Sequence, residues 1–318
     1  MTIPGHKPNP VLFLNTGSLG VSAINTMAGK IVRDVISNMN VLNVTVSIDL
    51  RIVLFVPLFE PITLTKEPNP CPPLPSQVLP TPVKIDKLFP LLSGYTHSTV
   101  QYLLHGFTEG FYLGFDGPRI SFHSDNLLSA FEHPDVVDVK LEKELSGHRI
   151  AGPFQSPPFS ALRVSPLGVV PKKQAGDYRL IHHLSFPNGN SVNNYISPES
   201  SSVNYATIQD AIAFVKLVGH QCFLAKTDIR SAFRIIPINL SDYFLLGFMW
   251  KDSYYHDKCL PMGCSSSCKI FETFSTAVEW VARNKFKIPH ILHLLDDFLI
   301  VAPTAALCQA QLSIFLKL

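Results

Sequence analysis

The segment from Ile291 to Val301 sets the tightest limit on what this chain can fold into. It is apolar except for His293, Asp296 and Asp297, and the two acids are adjacent. Burying neighbouring carboxylates in an apolar run is costly unless a positive group lies against them, and a divalent cation is the simplest such group. Consecutive side chains on a strand point to opposite faces, so the two acids reach one site only where the strand turns. The segment therefore predicts a hairpin, with strands over 291–295 and 298–301 and the acid pair at its tight turn. Asp also favours turns for local reasons, so the pair alone does not establish chemistry.

The rest of the chain narrows the setting. With 318 residues, 46% of them hydrophobic, it can build one large or two medium domains around a substantial core. Lys and Arg number 26 against 24 Asp and Glu, a net charge of +2, so any groove for nucleic acid has to be local. The six Cys form no CxxC pair and no zinc-finger spacing, which points to free thiols in a reducing compartment. Residues 1–20 lack a charged start followed by a long apolar region, so no signal peptide is expected. The longest early apolar run, 52–59, contains Pro57 and falls far short of the ~20 residues of a membrane span. The expectation is an intracellular protein, cytoplasmic or nuclear, with no membrane association.

Three segments are expected: an unassigned stretch over 1–65, a Pro-dense linker over 66–82, and a globular part over 83–318. In the first, Leu42, Val44, Val46, Ile48, Leu50 and Ile52 alternate with polar residues as a strand would, without evident chemistry. In the globular part, 88–105 reads as a helix, and the Gly-Phe pairs at 106, 110 and 114 as a turn-rich packing surface. Residues 134–145 read as a solvated helix stopped by Gly147. Residues 164–181 read as a hairpin turning at Gly176 and Asp177. Lys172, Lys173 and Arg179 stand around that turn on one side, a set suited to phosphate. Thr207 and Asp210 form a capping box for a helix over 207–218, and a short strand over 222–227 leads into Asp228. A second hairpin is expected around 251–253. Small and hydroxyl residues over 260–268 then form a loop whose N–H groups can face a phosphate or sugar. A final helix begins at Thr304.

Asp228, Asp296 and Asp297 supply three carboxylates, and the cationic hairpin and the Gly/Ser loop supply partners for phosphate. Two metal ions held by carboxylates, clamping attacking and leaving oxygens, suit nucleotidyl transfer, where positioning and charge neutralisation do most of the work.

From about Thr81 onward the sequence resembles the reverse transcriptases of retrotransposons, in particular the tyrosine-recombinase group of DIRS and Ngaro type. SPLGVVPKK and YRLIHHLS resemble the fingers motifs, KTDIRSAFRIIPI the first palm motif, LPMGCSSSCKIFE the second and HLLDDFLIV the third, in the family's order over 164–303. The resemblance implies an α+β right-hand polymerase: fingers plus a palm whose small antiparallel sheet is backed by helices. Nothing after Leu318 supplies a thumb, an RNase H domain or a recombinase, so truncation at the C-terminus is expected.

The resemblance also implies roles. Asp228 and Asp296 would ligate two Mg2+ ions, or Mn2+ in their place, with Asp297 in support and Ile229 offering a backbone carbonyl. Phe233 would exclude a ribose 2′-hydroxyl, although without the motif it reads as a core aromatic. Arg179, with Lys172 or Lys173, would hold the incoming triphosphate, and Met262 and Gly263 would line the nucleotide pocket. His182 and His183 would serve fingers packing. The implied partners are an RNA or DNA template with its primer and deoxynucleoside triphosphates. Two departures stand out: Leu294 occupies a place that is usually aromatic in retroviral enzymes, and Met262 a place that is commonly Gln. The alternative is an inactive retroelement-derived fragment that only binds nucleic acid. Parent polyproteins of this kind often carry RNase H, but no second set of carboxylates is present for it.

Overall fold

In the computed structural model, the described residues are 78–172, 176–219 and 221–318, together with the backbone of one strand, β1 (Val44–Ile48). Lys173, Cys71 and most of the expected N-terminal segment and linker lie outside them. The architecture is mixed α and β. Helices α1 (Ile85–Leu91) and α2 (His97–Glu109) come first. After β2 (Phe122–His123) come α3 (Leu128–Glu132), α4 (Pro134–Ser146), β3 (Ile150–Phe154) and β4 (Arg163–Val164). A hairpin of β5 (Leu167–Pro171) and β6 (Tyr178–His182) follows, then α5 (Ile208–Val218) and β7 (Phe223–Ile229). The chain continues through β8 (Gly247–Trp250), β9 (Ser253–Asp257), α6 (Ser267–Asn284), β10 (Ile291–Leu294), β11 (Asp297–Ala302) and α7 (Ala305–Phe315).

Three sheets result. The first runs β1-β7-β11-β10, the second β2-β4-β8-β9-β3, and β5 and β6 pair alone. In the first sheet both faces are covered. Phe298 and Ile300 of β11 join the largest core cluster with Phe107, Phe271 and Phe274, while Leu299 and Val301 pack with Ala211 and Val215 of α5. Burial on both faces explains why β11 reads as a continuous apolar run rather than an alternating one.

Local chemistry accounts for most boundaries. Thr207 caps α5 through the reciprocal capping box with Asp210, and Gly219 ends the helix at φ 116°. Lys251 and Asp252 both lie in the left-handed region, at φ 46° and 59°, as a two-residue turn between β8 and β9 requires. The expected hairpins of β5 with β6 and β10 with β11 are present.

Several elements differ from expectation. The helix over 88–105 is two helices, broken where Gly94 takes φ 89°. The Gly-Phe stretch is part helix and part turn: Gly106 lies inside α2, where a Cβ would clash with the ring of buried Phe111, while Gly110 and Gly114 follow it at φ 89° and 75°. In α4, Glu144 is not simply solvated but pairs with Arg149 and Arg234. The strand carrying Asp228 runs on to Ile229, and β1, from the unassigned segment, pairs with it in parallel. Among the described residues no helix is long and apolar enough to cross a membrane.

Candidate active site

The acid residues meet through strand register. On β7, Leu224, Lys226 and Asp228 share one face, by the alternation of strand side chains. β11 pairs with β7 antiparallel, placing Asp297 directly opposite Asp228 and Leu299 opposite Lys226. Asp296 occupies the two-residue turn between β10 and β11, and its carbonyl accepts a hydrogen bond from the Ile229 N–H at 3.0 Å. Leu295, the other turn residue, is fully buried and holds φ 55°, a left-handed conformation uncommon for a side chain of its kind.

Like charges opposite each other across a strand pair are unfavourable. The chain answers with Lys226, whose ammonium lies 2.9 Å from the Asp297 carboxylate. The answer is partial. Burial, then the negative charges of Asp297 and Asp228, push the Asp296 carboxyl up to about 6, against the pull of a backbone hydrogen bond and Lys226.

Among the described residues no group of three or more His, Cys, Asp or Glu side chains is arranged to hold a metal ion. The donor chemistry of the three acids suits a hard dication: they offer oxygen ligands only, Asp297 stands opposite Asp228 in the strand register, and the charges of both are felt at Asp296.

The residues expected to bind substrate are arranged unevenly. Lys172 is exposed and spends its ammonium on Asp177, 3.3 Å away across the β5–β6 turn. The register of Val170 with Arg179 puts the Arg179 side chain on the same face as Lys172 and Asp177. Met262 is about half exposed. Gly263 is pressed against the end of β6, where a Cβ would clash with the His182 carbonyl oxygen.

Two expectations need correction. Phe233 is 3% exposed and its ring packs on Phe271 at 5.2 Å, so it is a core aromatic with little face left for a sugar. The N–H groups of the 260–268 loop are mostly committed. Ser265 donates to Asn193 Oδ1 at 2.9 Å, and Cys264 and Ser267 bond within the loop. The loop is thus braced rather than open, with Asn193 also donating to the Gly263 carbonyl at 2.8 Å.

Other residues at the site escaped the sequence reading. Lys226 was legible in principle, since it stands two residues before Asp228 on an alternating strand. Arg234 was not. Its guanidinium donates to Asp257 at 2.6 Å, Glu144 at 2.9 Å and the carbonyls of Cys259 and Leu260. Asp257 in turn pairs with His182 Nδ1 at 3.1 Å. The turn after Asp228 is thereby tied to β6, the strand of Arg179. Burial disfavours these charges, but mutual pairing keeps the Asp257 carboxyl below its usual range and the Arg234 guanidinium above its own.

No protein-family model and no curated protein matches the chain. Among solved structures it is similar to the selenomethionine-labelled CSH mutant of the prototype foamy virus protease-reverse transcriptase, at 17% identity and a TM-score of 0.49, covering 77% of this chain and 32% of that one. It is also similar to the foamy viral protease-reverse transcriptase in complex with double-stranded DNA, at 15% identity and a TM-score of 0.47, covering 77% and 50% of the two chains. For the native prototype foamy virus enzyme the values are 16% and 0.46, covering 77% and 32%. The chain spans between a third and a half of the length of these structures. At such identities and TM-scores the functional reading has to stand on the chain's own residues.

Proposed function

We propose that this chain is the fingers and palm of an RNA-directed DNA polymerase from a retrotransposon of the tyrosine-recombinase type. It extends a primer on an RNA or DNA template with deoxynucleoside triphosphates, in the cytoplasm or nucleus. The supporting observation is the strand register that sets Asp228 opposite Asp297, with Asp296 at the adjoining turn. The order of the sequence motifs adds to it.

In this reading Asp228 and Asp296 would hold magnesium, with Asp297 beside them. Bound there, the ions would supply charge stabilisation to the oxygens of the transfer. The protein's own groups do the positioning. Arg179 and Lys172 offer cations to the triphosphate from the β5–β6 hairpin. The braced loop at Met262 and Gly263 gives a firm floor to the nucleotide, and Lys226 lowers the repulsion that the acids meet before the ions arrive. Gly263 packs on His182, which sets the floor directly against the hairpin.

A second reading, an inactive fragment that binds nucleic acid, draws on two observations: the Lys226 ion pair on Asp297 and the burial of Phe233. Primer extension by the purified chain on an RNA template with Mg2+ or Mn2+, beside an Asp296→Ala control, separates the two. Extension lost in the control supports the polymerase. Template binding without extension in either protein would replace it with the second reading.

A further inference from the structure

The polar contacts between α6 and β10 are not used by the reading above. On α6, Glu272, Glu279 and Arg283 stand seven and four residues apart, on one stripe of the helix. Facing them, residues 291, 293 and 295 alternate along β10 and into its turn. Each meets a member of the stripe. Arg283 Nε donates to the Ile291 carbonyl at 3.0 Å and pairs with Glu279 at 2.9 Å. Glu279 bonds His293 Nδ1. Glu272 Oε1 lies 3.1 Å from His293 Nε2, off the line of a hydrogen bond, and Glu272 Oε2 accepts the Leu295 N–H at 3.3 Å.

The charges therefore alternate along the contact: Glu272, His293, Glu279, Arg283. The two carboxylates outweigh the burial of the imidazole and push its pKa up to about 9, so it is a cation at neutral pH. Such a ladder is unusual where apolar packing would serve, since Phe271 and Phe274 of the same helix are buried in the core beside it. Apolar contacts are non-directional, whereas a carboxylate that accepts one particular N–H fixes a backbone position. That N–H belongs to Leu295, the left-handed residue directly before Asp296.

We propose that Glu272, backed by His293, is a positioning residue that fixes the turn carrying Asp296 and Asp297 for nucleotidyl transfer. The inference rests on the polymerase reading for its purpose and on the α6–β10 contacts for its mechanism. Glu272 touches neither substrate nor the reacting atoms. It acts through the Leu295 amide, and His293 acts through Glu272.

The test compares Glu272→Gln, which keeps an acceptor for the Leu295 N–H, with Glu272→Met, which keeps the bulk and loses the acceptor. Amide hydrogen exchange over 294–297 in the full chain is read beside kcat and KM for a deoxynucleoside triphosphate. In Glu272→Met, exchange at Leu295 is expected to rise by about tenfold or more, with protection in α6 and β11 retained. Its kcat is expected to fall by about tenfold or more while KM stays near the wild-type value. Glu272→Gln should recover most of both losses. His293→Gln, which leaves Glu272 in place, provides a milder version if the Met variant does not fold, with faster exchange at Leu295 the expected result. Wild-type exchange at Leu295 in every folded variant would overturn the proposal, as would a Gln variant no better than Met. A wild-type chain that extends no primer refutes the polymerase reading instead, and the exchange measurements still decide whether Glu272 holds the turn.

Discussion

Asp228 and Asp297 are cross-strand partners, set opposite each other on β7 and β11 with their side chains on one face. This is a position where two carboxylates repel, and the ion pair of Lys226 with Asp297 is the chain's own counterweight. Burial and the neighbouring negative charges nonetheless leave Asp296 with a raised pKa.

Lys226 then competes with any cation for Asp297. Replacing it as Lys226→Met should destabilise the metal-free protein by on the order of 1 kcal/mol, the scale of a partly exposed ion pair. The same variant should gain more thermal stability from Mg2+ than wild type, because the ion replaces the lost ammonium. Melting curves with and without Mg2+ check both halves. An equal Mg2+ shift in the two proteins would show that Lys226 and the ion do not share a site.

Asp296 gives a signature in pH. Its folded pKa, about 6, lies above the ordinary carboxyl value of about 3.9. The folded state thus binds more protons than the unfolded state between roughly pH 4 and 6, and this group's contribution to stability falls as pH rises through that window. The loss amounts to at most about 3 kcal/mol. Asp296→Asn removes it. In metal-free buffer the stability of the Asn variant relative to wild type should climb from pH 4 to pH 7 in urea titrations. A flat difference would mean that Asp296 titrates normally and that the three acids do not interact.

Sequence reading reached those parts of the site that depend on short-range pattern. The acid hairpin, the capping box at Thr207 and the β5–β6 hairpin follow from periodicity and turn chemistry within a few residues. The failures have a common origin in long-range contact. Phe233 reads either as a gate beside an acid or as a core aromatic, and its packing on Phe271 of α6 makes it core. The loop at 260–268 reads as open because Asn193, far back in the chain, cannot be seen to brace it. Glu144 looks solvated on its own helix, while its partner Arg234 is 90 residues away. The pairing of β1 with β7 belongs to the same class, since alternation at 42–52 names a strand but no neighbour.

Arg234 is the largest of these hidden contributions. It stands between Glu144 and Asp257, and removing its charge leaves Asp257 buried without its main partner and Glu144 with Arg149 alone. Arg234→Met should cost about 3–5 kcal/mol in urea unfolding, as expected when one member of a buried ion network is deleted. Arg234→Lys should recover only part of this, because an ammonium cannot reproduce the planar fork that reaches two acids and two carbonyls. Full recovery by Lys would reduce the site to one of simple charge.

Gly263 ties the 260–268 loop to the β5–β6 hairpin. The clash that a Cβ would meet there is with the His182 carbonyl, a backbone atom that cannot swing aside as a side chain tip would. His182 is itself pinned, with Nδ1 at 3.1 Å from Asp257 and Nε2 at 3.1 Å from the Gly247 carbonyl. Gly263→Ala must therefore move either the loop or the strand. Asn193 holds the loop from the other side, so strand β6 is the part expected to yield, carrying Arg179 with it. In the polymerase reading this raises KM for the deoxynucleoside triphosphate, by about tenfold, with a smaller change in kcat, since the acids on β7 and β11 are untouched. Steady-state primer extension at varied nucleotide concentration provides the check. A loss confined to kcat would show that Gly263 acts on the acid turn and not on the β5–β6 hairpin.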